Sequence, residues 1–455
     1  MYKPLSKQIG FEDFNTPLGM KLDPENRWVK KANTIPWDEI EAKYAKLFQS
    51  KKGQVAKPLR MALGALIVQK EYGFSDENTV REIQENPFVQ FLCGARSFEY
   101  KRPFDPSLMV YFRERLTPEI LGEINELIIA KNEDKSTDDG DCIVDASCAP
   151  QNIRYPQDIS LLNEAREKTE AMIDELHEKN KDDCKKPRTY RKEARKEYLK
   201  TARKKKKKPN EIRKGIGKQL RYIKRNLAHI EAYKDSGSVL DEKQAEELAT
   251  IKKVYEQQHS MWENKNKHIP DRIVSISQPW IRPIVRGKAS KEVEFGAKFD
   301  ISVSNGFVRL EHTSFDAYNE STILKSILER YKEQKGNYPK RVLVDQIYRT
   351  RDNINFCKEN NIEISGKPLG RKPKIEDKTL KKKNRQNEID RIEVERKISE
   401  AKGNYGLSLI RCKLKETSKT SSALSILCLN IAKATRLLRA LILFLYGPRK
   451  IVFVQ

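Results

Sequence analysis

C-x-x-C pairs are absent from this chain of 455 residues, and its cysteines are odd in number: Cys93, Cys142, Cys148, Cys184, Cys357, Cys412 and Cys428. That spacing excludes a thiolate zinc site and the disulfide framework of a secreted domain, and it fits a reducing compartment. Cys142 and Cys148 flank Asp145 and read as small buried side chains beside a strand. The five histidines show no metal-ligand spacing. The opening residues MYKPLSKQIGFEDF lack the apolar stretch of a signal peptide, so a cytoplasmic protein is expected. An uncharged run of membrane length is missing too. Residues 423–446 are long enough, but Lys433, Arg436 and Arg439 would each cost roughly 2.5–3.5 kcal/mol near a membrane helix centre. They read as a packed amphipathic helix, and no membrane partner is expected.

Acid is in deficit. Lys and Arg number 90 against 65 Asp and Glu, giving a net charge of +25 and a pI of about 9.5. Such a field draws polyanions, nucleic acid first. The length, with 38% hydrophobic residues, allows two or three domains with their own cores.

Residues 1–135 read as a helical N-terminal DNA-binding domain. Pro58 opens one helix, Ser75 and Asp76 cap the next, and Asn86 before Pro87 starts a third. This is the outline of a helix-turn-helix-like unit, which any small helical bundle shares. Residues 136–159 hold a first strand and an aspartate block. Residues 160–270 form a basic helical insertion, poor in aromatics and without an internal repeat or a sustained heptad seam. Its run at 203–208 (RKKKKK), with Lys204, Lys205 and Lys206, is either a DNA-backbone contact or a solvated charge run. Strands follow Pro279: 293–303 and 307–312 around an Asn305-Gly306 hairpin turn, then a helix at 319–335, a buried strand at 341–344 and a helix at 353–360. A helix at 387–402 is expected to stop at Gly403. Residues 271–415 thus complete an α/β unit with a mixed sheet, and 416–455 form a C-terminal helix and tail.

Within 391–402 (RIEVERKISEAK), Glu395 and Lys402 lie roughly 40° and 20° round the helix from Arg391, so the three charges share one stripe. Two strand-like runs upstream end in a lone acid, Ile143-Val144-Asp145 and Val342-Leu343-Val344-Asp345. Two aspartates and a glutamate can share a pair of Mg²⁺ ions about 3.5–4 Å apart, the arrangement for in-line phosphoryl displacement. Asp145 would bridge the ions, Asp345 and Glu395 would complete one shell each, and Arg391 and Lys402 would hold phosphates or orient the acids. Taken singly, each acid also fits a turn or cap, and the stripe also fits an exposed helix with i, i+4 pairs.

At these residues the chain resembles bacterial insertion-sequence transposases of the DDE class, which have an RNase H-like core. Arg391, Glu395 and Lys402 match the last three positions of that family's Tyr-x2-Arg-x3-Glu-x6-Lys motif, with Glu388 standing at the tyrosine position. The segment from Asp145 to Arg166, DASCAPQNIRYPQDISLLNEAR, resembles the family's first-aspartate block. Asp345, Tyr348 and Asn353 match its second, and the loop at 365–370 (SGKPLG), the segments at 278–288 and 294–298, Tyr405-Gly406-Leu407 and the LKET at 414–417 extend the likeness over most of the chain. The resemblance implies an RNase H-like mixed sheet, with Asp145, Asp345 and Glu395 as catalytic metal ligands for two Mg²⁺ ions, for which Mn²⁺ substitutes. It also implies Tyr348 and Asn353 at the DNA, a helical N-terminal domain that recognises terminal inverted repeats, and a homodimer or higher oligomer on double-stranded DNA at the nucleoid. The implied activity is that of a DNA transposase and endonuclease that joins its element ends to target DNA. The alternatives are a catalytically silent DNA-binding regulator from a decayed element and an RNase H-like nuclease without strand transfer.

Overall fold

The structure, a computed structural model, describes residues 2, 8–16, 19–46, 55–133, 140–181, 185–288, 291–370 and 378–446. Cys184 lies outside the described residues. In chain order the helices and strands are α1 (Arg27–Thr34), α2 (Trp37–Ala45), α3 (Leu59–Tyr72), α4 (Asp76–Glu85), α5 (Pro87–Leu92), α6 (Leu108–Arg115), α7 (Pro118–Asn132), β1 (Asp141–Pro150), α8 (Asp158–Glu178), α9 (Arg191–Ala202), α10 (Pro209–Asp235), α11 (Glu242–Glu263), β2 (Arg282–Lys288), β3 (Lys291–Ser304), β4 (Phe307–Ser314), α12 (Leu324–Lys335), β5 (Arg341–Leu343), α13 (Arg351–Glu359), β6 (Glu363–Ile364), α14 (Lys378–Asn404) and α15 (Lys415–Tyr446). The chain divides into two compact units, one of residues 1–150, 298–314 and 318–455, the other of residues 151–297 and 315–317.

In the first unit the expected caps set the early helices. Pro58 holds the N-cap of α3, and Gly73 closes that helix in the left-handed region at φ +66°. The Ser75 hydroxyl accepts from Asn78 N at 3.2 Å to start α4, and the Asn86 side chain accepts from Phe88 N and Val89 N to start α5. These helices do not form a core of their own ending near residue 135. Trp28, Leu63, Leu66 and Phe91 belong to one hydrophobic cluster with Ile143 of β1, Leu343 of β5, Val394 of α14 and Leu427 of α15.

The sheet is mixed, with the order β2-β3-β1-β5-β6 and β4 paired to β3. In the first unit, β4 runs antiparallel to the C-terminal half of β3 through the turn at Asn305 and Gly306, both at positive φ, while β5 is parallel to β1 and β6 to β5. The helix expected at 319–335 begins as a 3-10 turn over Glu320–Ile323 and continues as α12. α14 runs through Gly403, and the left-handed glycine beyond it is Gly406. α15 departs from the amphipathic expectation: every residue from 420 to 431 is buried. Packing on all sides makes it the central helix of the unit; of the buried polar residues in this stretch, Asn430 donates to Val308 O and accepts from Val308 N in β4, and Ser425 donates to Tyr405 O. Among the described residues no helix is long and apolar enough to cross a membrane.

The second unit holds the basic helices. They are charged outside but packed inside: Leu162, Ile173 and Leu176 of α8 meet Leu220, Ile223 and Ile230 of α10 and Ile251 and Val254 of α11. Arg166 is buried in this bundle, where Glu170 at 2.6 Å and Asn163 at 2.8 Å accept from its Nη atoms. β2 pairs antiparallel with the first half of β3.

Candidate active site

β1 and β5 place the two aspartates. Their parallel register pairs Asp141 with Arg341, Cys142 with Val342 and Ile143 with Leu343. Side chains alternate between the faces of a strand. Cys142, Val144, Val342 and Val344 accordingly pack with Leu324 and Leu328 of α12 and Cys357 of α13, while Ile143 and Leu343 join the cluster that includes Val394 of α14. Two residues further on, the same parity and the same offset of the register set Asp145 level with Asp345, just past the end of β5.

α14 carries the third acid. Arg341 ties this helix to the strands: its guanidinium donates to Asp141 (Nε to Oδ1, 2.7 Å), to Asn387 Oδ1 at 3.1 Å and to Asp390 Oδ2 at 3.2 Å. At the other end of the strands Arg391 takes up two acids. Its Nη1 lies 3.5 Å from Asp145 Oδ2 and its Nη2 lies 2.8 Å from Glu395 Oε1. Glu395 and Asp345 are exposed, and Asp145 is half-buried.

Burial pushes the Asp145 carboxyl up to about 6; the Ala146 amide and Arg391 oppose this, and Glu320 and Asp345 reinforce it. A second acid, Asp300 of β3, is fully buried and pushed up to about 7, again chiefly by burial, although the Tyr318 hydroxyl donates to it. Lys298 pairs with Glu320 at 2.6 Å beside it. Sequence reading missed Asp300 and Glu320. The signal for the first was an aspartate in step with Ser302 and Ser304 on a strand whose alternate residues, Phe299, Ile301 and Val303, are all core.

The loop after Asp345 is held from beneath. Asp345 Oδ1 accepts from Gln346 N at 2.7 Å, capping a short 3-10 turn over Gln346–Tyr348. Tyr348 is fully buried, its hydroxyl donating to Asp300 at 3.4 Å, and Asn353 is buried with its amide donating to Ser321 O and Tyr348 O, both at 2.8 Å. Both side chains are therefore buried inside the unit. The SGKPLG loop has a similar part. Ser365 Oγ accepts from Val344 N at 2.8 Å, and Arg349 donates to Ile364 O and Ser365 O. Gly366, at φ +100°, leaves room for Arg349, whose Cδ would lie 2.8 Å from a Cβ there.

Of the remaining predicted residues, Lys402 is half-buried in the last turn of α14, and Glu388 is exposed on the same helix. Lys204, Lys205 and Lys206 are exposed in the second unit, between α9 and α10, with Lys204 paired to Glu211 at 2.9 Å. Among the described residues no three His, Cys, Asp or Glu side chains converge closely enough to hold a metal. Arg391 is the cation between Asp145 and Glu395. The donor set nonetheless suits Mg²⁺, which takes carboxylate oxygens and keeps several waters.

Residues 342–432, which include Asp345, Arg391, Glu395 and Lys402, match the family described as "Transposase DDE domain". Residues 17–115 match the family described as "Transposase domain (DUF772)". A protein of Rhizobium meliloti described as uncharacterized, ORF8 in the nfe locus, is 27% identical over 164 residues, 35% of this chain and 79% of the relative. No solved structure matches the chain.

Proposed function

We propose that this chain, which belongs to the insertion-sequence transposases of the DDE class, binds the terminal inverted repeats of its own element, cleaves the DNA there and joins the freed 3′-hydroxyl to target DNA. The observation that supports this reading is how the strands and Arg391 arrange three acids that are far apart in sequence. The register of β1 and β5 sets Asp145 level with Asp345, and Arg391 links Asp145 to Glu395.

An RNase H-like core is supported by the strand arrangement in the first unit, where β1 has parallel β5 on one side, with β6 beyond, and β3 with its antiparallel partner β4 on the other. We assign Asp145, Asp345 and Glu395 as the residues that would hold two Mg²⁺ ions, which would activate the attacking oxygen and stabilise the leaving one in an in-line displacement. The protein's own groups prepare that site. Arg391 offers a planar fork that matches a carboxylate or a phosphate, and Arg341 fixes α14 so that Glu395 stays beside the strand ends. Tyr348, Asn353, Ser365 and Arg349 hold the Asp345 loop in place and act as positioning residues. We assign end recognition to the helices of residues 17–115 and non-specific backbone contact to Lys204, Lys205 and Lys206. A dimer or higher oligomer, with one protomer per element end, completes the reading.

The test incubates the purified protein with labelled element ends and Mg²⁺, comparing wild type with Asp345→Asn. Cleavage and strand-transfer products are expected from wild type only. Cleavage that survives Asp345→Asn would overturn the site assignment, and cleavage without joined products would favour a nuclease.

A further inference from the structure

The second unit contains a groove of about 430 Å³ between α10 and α11. One wall is basic. Residues 212–230 of α10 contain no acid but carry Arg213, Lys214, Lys218, Arg221, Lys224 and Arg225. Lys214, Lys218, Arg221 and Lys224 line the groove, and steps of four, three and three residues put them on one helix face, spread over about 15 Å. Lys218 is held by Glu197 at 2.7 Å. Lys214, Arg221 and Lys224 have no acidic partner among the described residues.

The other wall is aromatic. Tyr255, His259 and Trp262 follow one another at steps of four and three on α11, with ring centroids 5.6 Å and 6.3 Å apart. Trp262 is fixed at one end of this row. Its indole N–H donates to Arg213 O at 3.0 Å, the Arg213 guanidinium lies 4.9 Å from its ring, and a Cβ on Gly217 would come within 2.9 Å of it. Gly217 therefore lets the ring lie against α10. Tyr255 and His259, both half-buried, continue the row along the groove.

A row of cations beside a row of rings suits one kind of ligand. Phosphates track the charges while base faces meet the rings, and a base face is available only where the strand is not stacked in a duplex. A small anion would use one or two of the cations and none of the rings. A membrane surface would call for apolar side chains that protrude, whereas these rings line a recess. We propose that the α10/α11 groove binds an unpaired stretch of DNA strand, with its phosphates along Lys214, Arg221 and Lys224 and a base against Tyr255 and His259. The inference rests on the reading that the protein handles DNA, but it uses none of the three acids.

The test is fluorescence anisotropy with the full-length chain, using labelled oligothymidylate and a random-sequence duplex, neither carrying element-end sequence. Wild type is expected to bind the single strand more tightly. Tyr255→Leu should weaken single-strand binding about tenfold with the salt slope unchanged. The triple variant Lys214→Gln, Arg221→Gln, Lys224→Gln should weaken it and lower the slope by about 2. His259→Ala is the second ring variant, and thermal melts by circular dichroism establish that each variant is folded. Asp345→Asn should bind the oligonucleotide as wild type does, so a failure of the groove and a failure of the catalytic assignment are read separately. Equal binding of duplex and single strand, with both ring variants silent, would overturn the proposal in favour of a phosphate-only surface. So would binding to phosphatidylserine vesicles that the triple variant abolishes while oligonucleotide binding is untouched.

Discussion

Arg391 and Asp145 are 246 residues apart in sequence and 3.5 Å apart in the fold, and the same guanidinium holds Glu395 one turn along its own helix. Burial holds the Asp145 carboxyl at about 6 even though the arginine lowers it. Arg391→Gln removes that compensation, so Asp145 should titrate above about 6. The acid limb of the cleavage profile should move to higher pH. Carbon NMR of labelled aspartate in metal-free protein checks it, and an Asp145 titration that does not move would dismiss the electrostatic role.

Asp300 makes the protein's stability depend on pH. Its folded pKa, about 7, lies above the unfolded value of about 3.9. Such a group contributes stability that is complete below the unfolded value and is lost as pH rises through the folded one. Asp300→Asn stays neutral throughout, so its stability relative to wild type should improve between about pH 4 and about pH 8 by an amount on the order of 2–4 kcal/mol. Urea unfolding across that range is the measurement. Parallel curves for the two proteins would rule the account out.

Arg341 joins β5, β1 and α14 through Asp141, Asn387 and Asp390, and Asp141 is buried. Arg341→Met removes the guanidinium from that buried acid, a loss of roughly 3 kcal/mol by comparison with other broken buried pairs. Cleavage should fall with it, because the helix that carries Glu395 is no longer held. The double variant Arg341→Met, Asp141→Leu should recover stability; if it melts no higher than the single variant, the buried acid is not the cause.

Affinity for DNA should fall steeply with salt, since each neutralised phosphate contributes a slope of about 0.9. Replacing Lys204, Lys205 and Lys206 by glutamine should lower that slope by about 2 rather than the full value for three charges, because Lys204 is already paired with Glu211. An unchanged slope would mark the run as a solvated charge cluster.

What could be read in the sequence, and what could not, follows from the range of the forces involved. Caps at Ser75 and Asn86, the Asn305-Gly306 turn and the strand that stops just before Asp345 are local effects of neighbouring residues, and they stand where expected; the strand expected to end at Asp145 instead runs on to Pro150. Matters decided by distant packing were not legible. The resemblance puts Tyr348 and Asn353 at the DNA and gives no sign of burial, yet Asp300 and Ser321, from other parts of the chain, give them buried partners. The boundary near residue 135 was drawn where composition and turns change. The core ignores it, because Trp28 and Leu63 bury themselves with residues of β1 and α15. α15 looked amphipathic from its cations, but Lys433 and Arg436 lie beyond the stretch that is buried all round.

The pairing of β1 with β5 has a consequence for how such a chain can vary. Asp145 and Asp345 meet through strand register, so the length of chain between Pro150 and Arg341 is of no account to them. A whole bundle is accommodated there, and its loss or enlargement would leave the two carboxylates level. One extra residue between Asp141 and Asp145 would do the opposite, turning the aspartate to the far face of the sheet, away from α14. Insertions of a hundred residues and of one thus trade their usual severity, and drift in length should gather in the interval while the few residues of each strand keep their count.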